Sequence, residues 1–157
     1  MNIVSLFRTG FIWMLLSGTC LATEITQAYL RSFEVEDFQR LTEFFTGEEV
    51  AGDRLILRTD PEERAGMYVV ATLDSSVSSL PSGSTAELQV LFENTREITT
   101  LAFPFPASRP QSKHLLVGIT GSTWEDEAKV IAWRLQLKDA AGTVLAEHKS
   151  FLWEMPK

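Results

Sequence analysis

Side chains able to do chemistry are few in this chain, and they are scattered. The two histidines, His114 and His148, each stand at a strand-like position among apolar or mixed neighbours. They are not set at metal-ligand spacing, and neither HExxH nor HxH occurs. A structural or surface role is preferred for each, with a His–carboxylate pair assembled by the fold left open. Six serines crowd positions 75–84, but no G-x-S-x-G elbow surrounds any of them. Glu62 and Glu63 are adjacent carboxylates. Neighbours on a helical turn point about 100° apart, so capping of a short helix is preferred to the paired acid–base work of a glycosidase. Gly118-Ile119-Thr120-Gly121 is too short to cradle a phosphate. No catalytic residue, metal site or cofactor is assigned.

One loop combines two useful residue types. Trp124 is followed directly by Glu125, Asp126 and Glu127. Carboxylates in a loop can ligate calcium through oxygen, but the EF-hand spacing is absent and a solvated acidic loop is the preferred reading. An aromatic ring flanked by carboxylates also suits sugar recognition. Trp124, Glu125, Asp126 and Glu127 are therefore the candidate binding residues. The competing expectation is that Trp124 folds back over the end of a core.

The elements that would position these groups read as strands. From residue 54 onward, short apolar or alternating runs are separated by Gly, Pro, Ser and Asp, the pattern of a sandwich or barrel. Strands are predicted over residues 54–59, 66–74, 85–93, 97–103, 113–119 and 129–138, and within 143–153. In 85–93, Ala86, Leu88, Val90 and Phe92 share one face, with period two. In 129–138, Ile131, Trp133, Leu135 and Leu137 point one way. Asp139-Ala140-Ala141-Gly142 suits a type I turn with Gly142 left-handed, closing a terminal hairpin. A single helical turn is predicted at 60–65, capped by Asp60 and ended by Gly66. Residues 24–47 admit two readings. A capped helix after Ser32 would put Phe38, Leu41 and Phe45 on one face. An irregular lead-in over 23–39 followed by a strand at about 40–46 is preferred.

The first 22 residues have the features of a cleaved secretory signal. Arg8 and the free amine supply positive charge, Phe11–Leu16 is a short apolar core, and Cys20-Leu21-Ala22 offers small residues before Thr23. The apolar stretch is shorter than the roughly 20 residues a bilayer span needs. An uncleaved anchor is the lesser alternative, and a lipoprotein signal acylated on Cys20 is the main one. Its fit is poorer, because Thr19 is bulky where Gly or Ala is expected. Beyond residue 22 there is no cysteine, which excludes disulfides, cysteine zinc sites and a cysteine nucleophile in the processed chain. That part carries 13 Lys and Arg against 21 carboxylates, a net charge of −8. Such a surface repels nucleic-acid backbones and anionic lipid. The charge is uneven: residues 34–63 hold ten acids against Arg40, Arg54 and Arg58.

The strings LTEFFTGEE, LRTDPEERAGMYVV, LLVGITGSTW, AWRLQLKDAAGTVLA and SFLW resemble exported proteins of environmental Gram-negative bacteria, of the Verrucomicrobia type. That resemblance carries no activity and implies only that such a domain stands alone after a signal. In architecture the chain is similar to immunoglobulin and fibronectin type III modules, without the inter-sheet cysteine pair. The expectation is an all-β, antiparallel, immunoglobulin-like β-sandwich of seven or eight strands over residues 40–157. It would be periplasmic or secreted, without a membrane span once processed, and would bind a protein or glycan partner through its surface. Two other classes stay open. One is a hydrolase using Glu125, Asp126 and His114 or His148. The other is a subunit that pairs edge to edge with its own kind.

Overall fold

The computed structural model describes residues 23–95, 97–124 and 129–154. The proposed leader, with Cys20, lies outside them. Eight strands form two four-stranded sheets: β1 (Ile25–Phe33), β2 (Arg54–Arg58), β3 (Gly66–Leu73), β4 (Thr85–Phe92), β5 (Ile98–Pro104), β6 (His114–Thr120), β7 (Val130–Lys138) and β8 (Val144–Lys149). The first sheet runs β1-β3-β6-β2, the second β5-β4-β7-β8. Every ladder is antiparallel except β2–β6, which is parallel. Period-two patterning explains the layers. Leu88 and Val90 of β4, Val117 and Ile119 of β6, and Leu135 and Leu137 of β7 interdigitate in one core between the sheets.

The strand orders match an immunoglobulin sandwich. In that fold one sheet is A-B-E-D and the other G-F-C, with C′ beside C in the variable type. Here β1, β3 and β6 occupy A, B and E, and β8, β7, β4 and β5 occupy G, F, C and C′. Only the D place is unusual. The stretch between β5 and β6 carries Pro106 and Pro110, and proline cannot donate to a ladder. β2, which precedes β3 in the chain, fills the vacant edge beside β6 and must run parallel to it.

The terminal hairpin closes as its turn residues dictate. Gly142 has φ 85° and its N–H bonds the Asp139 carbonyl at 3.0 Å. The Asp139 carboxylate accepts the N–H groups of Ala141 and Thr143 at 2.9 and 2.8 Å.

Four local expectations are overturned. The lead-in contains β1, whose alternation is hidden by a bulge at Thr26 that flips its parity. Ile25 before the bulge and Ala28 and Leu30 after it all reach the core. Ile131 likewise sits in a bulge, where Ala132 pairs Leu91 and Val130 pairs Phe92. It points out while Val130 packs inward. The stretch 40–46 is helix, not strand. A first turn, α1 (Val35–Phe38), is followed by α2 (Leu41–Thr46), ended by left-handed Gly47 with φ 72°. No helix forms at 60–65. Asp60 does accept the Glu62 N–H at 3.0 Å, but its backbone N–H and carbonyl are both held by the Thr120 hydroxyl at 3.0 and 2.9 Å. Gly66 opens β3 instead, where a Cβ would collide with the Ile119 carbonyl. Among the described residues no helix is long and apolar enough to cross a membrane.

Candidate functional site

The outer face of the first sheet is covered by the segment between β1 and β2. Phe33, Phe38, Tyr68 and Leu116 form a second, smaller core there. The rings of Phe33, Phe38 and Tyr68 make a triangle with centroids 5.2–5.3 Å apart. Gly118 lies under the Tyr68 ring, and a Cβ at that position would overlap it. Phe38 is the one buried residue of α1, packed against the Phe33 and Tyr68 rings.

Polar groups lock this lobe to the sandwich. The Arg58 side chain is only 7% exposed, and its guanidinium donates to both Glu49 oxygens at 2.6 and 2.7 Å. Its Nε donates to the Tyr68 hydroxyl at 2.8 Å, and that hydroxyl donates to the Arg64 carbonyl at 2.7 Å. Arg58 also lies over the Phe38 ring, 4.8 Å from its centroid. Arg64 pairs Glu43 of α2 at 2.7 Å and approaches Glu49 at 3.6 Å. The hydrogen bond from Arg58 holds the Glu49 carboxyl below its ordinary value against the penalty of burial. Burial works against the Arg58 charge, but its bonds to Glu49 and Tyr68 outweigh that and raise its proton affinity. Burial pushes the Tyr68 phenol up, opposed by Arg58. This network fixes α2 and the 47–53 loop against β2 and β3.

Beside the lobe, β2 is the last strand of its sheet. Thr59 donates its N–H to Gly118 in β6 at 3.0 Å. Strand alternation then turns the N–H groups of Arg54, Ile56 and Arg58 to the open side. β5 is likewise the last strand of the other sheet. Between them lies a cleft of about 490 Å³, lined among others by Ile56, Pro61, Phe103, Pro104, Phe105 and Pro106. A second hollow of about 310 Å³ shares Ile56 and Arg58 and continues to Arg54 and Gly52. Together the hollows follow β2 from end to end. The cleft wall is aromatic and proline-rich, and its only charged lining group among the described residues, Arg58, is already paired with Glu49. It therefore suits apolar side chains and backbone hydrogen bonding rather than acid–base chemistry.

The sequence-predicted residues fall elsewhere. Trp124 follows a 3-10 turn at Gly121–Thr123 and its N–H bonds the Gly121 carbonyl at 2.9 Å. Its ring packs on the main core, half-buried. Glu125, Asp126 and Glu127 lie outside the described residues. His114 is at the exposed start of β6, whereas His148 is on β8 of the other sheet, so the fold does not join them. His148 stacks on Trp133 at 5.8 Å, with its buried Nδ1 unbonded among the described residues. Glu62 and Glu63 are exposed. No group of three or more His, Cys, Asp or Glu suited to a metal ion occurs among the described residues. Sequence reasoning missed the Arg58–Glu49–Tyr68 network and the cleft. RLILR did mark β2 as a strand with arginine at both ends. Nothing local said that this strand would be left at an edge.

The fold and this face together define an eight-stranded, immunoglobulin-like β-sandwich with one open side. Comparison with protein-family models, curated proteins and solved structures finds no match for the chain.

Proposed function

We propose that this chain is an exported, non-enzymatic binding domain. It is released to the periplasm or the medium after loss of residues 1–22, and it takes an extended segment of a protein partner along β2. The observation that carries the binding mode is an unpaired strand edge running beside an apolar cleft of about 490 Å³. An added strand takes affinity from main-chain hydrogen bonds and specificity from pockets for alternate side chains. Here Ile56 and Arg58 offer the outward N–H groups, while Phe103, Phe105 and the prolines offer the pocket. The leader-like N-terminus supports export.

The test is selection of peptides from a random display library on the purified chain, followed by amide mapping by NMR. The selected peptides are expected to shift Ile56, Arg58, Phe103 and Phe105, and to lose binding in Ile56→Pro. Peptides that map elsewhere, or that bind Ile56→Pro unchanged, overturn the reading. Sugar binding centred on Trp124 in a glycan array would replace it with the glycan alternative. Concentration-dependent self-association through β2 would replace it with the edge-paired subunit.

A further inference from the structure

A second surface on the same lobe is independent of the cleft. Leu41, Phe44 and Phe45 of α2 are 83%, 87% and 79% exposed. The Phe44 and Phe45 rings meet edge to face at 5.8 Å. An isolated helix this short is marginal in water. This one is held from its inner side, where Glu43 binds Arg64 at 2.7 Å and the Val50 N–H at 3.2 Å, and where Gly47 caps its end. The chain thus fixes a helix in place and presents three large apolar side chains on its outer side. Beside Phe44, a hollow of about 220 Å³ is lined by Gln39, Arg40 and Glu43.

The surrounding charge says what fits there. Of the ten carboxylates in 34–63, Glu43 and Glu49 are taken by Arg64 and Arg58, and Asp37 lies 3.8 Å from Arg31. Glu36 and Glu48, which flank α2 on either side, are exposed and in no ion pair among the described residues. Asp53, Glu62 and Glu63 are exposed on the neighbouring loops. Among the described residues of 34–63, the bases outside these pairs are Arg40, which lines the hollow beside Phe44, and Arg54. A second copy of this chain would bring the same acidic rim against itself, and an anionic lipid surface would be repelled.

We propose that the outer side of α2 docks a cationic amphipathic segment of a protein partner, with its apolar stripe on Leu41, Phe44 and Phe45 and its Lys or Arg residues over Glu36 and Glu48. This rests on the chain being a binding domain, but not on the β2 cleft. Aromatic anchors ringed by complementary charge are the usual composition of such a contact.

The test titrates the full chain with a synthetic Leu/Lys helical peptide and with its Leu/Glu counterpart, by calorimetry at low and high salt. The Leu/Lys peptide is expected to bind and the Leu/Glu peptide not to. Affinity should fall about tenfold or more in the Phe44→Ser, Phe45→Ser double variant. Glu36→Gln with Glu48→Gln should flatten the salt dependence. Equal binding of both peptides, or unchanged binding by the serine variant, overturns the proposal. So does self-association that the serine variant abolishes. Peptides directed to the cleft report at the Ile56 amide, so failure on α2 is distinguishable from failure at β2.

Discussion

Residues decide how firmly the lobe is seated. Arg58 is nearly buried and makes three charge-assisted hydrogen bonds. Removing one partner of such a pair strands the other in a low-dielectric setting. Arg58→Ala is expected to cost about 3 kcal/mol, read as a lower urea midpoint with unchanged slope. Glu49 adds a pH signature. Its carboxyl is held below the ordinary value of 4.5 by Arg58, so it is ionised in the folded chain where the unfolded chain already takes up a proton. Its contribution to stability is present above about pH 4.5 and is lost as pH falls through the lowered folded value. Glu49→Gln is expected to flatten that acid limb in pH-dependent unfolding. The exposed pair Phe44 and Phe45 should behave oppositely: serine at both changes stability by less than about 0.5 kcal/mol.

Elements show how far local pattern reaches. Gly47 ends α2 in the left-handed region with nothing within 4 Å of a Cβ. Gly47→Ala therefore tests backbone strain alone and should cost about 1 kcal/mol in thermal unfolding. Gly118→Ala should cost about 2 kcal/mol or more, because the added methyl displaces the packed Tyr68 ring. Near-UV circular dichroism would register that displacement. The strands from β2 onward were legible because one face of each is oily and the other polar. β1 was not, since the Thr26 bulge breaks its period. α2 was not, because its helix depends on Glu43 meeting Arg64, which lies 21 residues later. The turn at 60–65 had correct capping residues, but Thr120 took the Asp60 backbone first. The edge cleft was illegible because it arises from which strands end up last in each sheet.

Most strand pairings in the molecule are distant in sequence. β1 meets β3, β3 meets β6, and β4 meets β7. Chains of this topology fold in roughly milliseconds to seconds. Stopped-flow refolding followed by tryptophan fluorescence should fall in that window, and a dominant microsecond phase would contradict it. The asymmetry of the sandwich is also a whole-molecule property. On one side β1 and β8 approach each other. On the other, β2 and β5 flank the cleft. The lobe reaches that side through Glu49, Ala51 and Gly52, which line the hollow along β2.

Because β2 stands where a later strand would ordinarily stand, its timing is inverted. A polypeptide emerging amino end first presents Arg54–Arg58 long before His114–Thr120 appears to receive it. Until then the Arg58 side chain already has the Phe38 ring, Glu49 and Tyr68 for company, all supplied by the chain before β4. The lobe can therefore gather early around a waiting strand. Arrival of β6 then slides the last plank into the sheet.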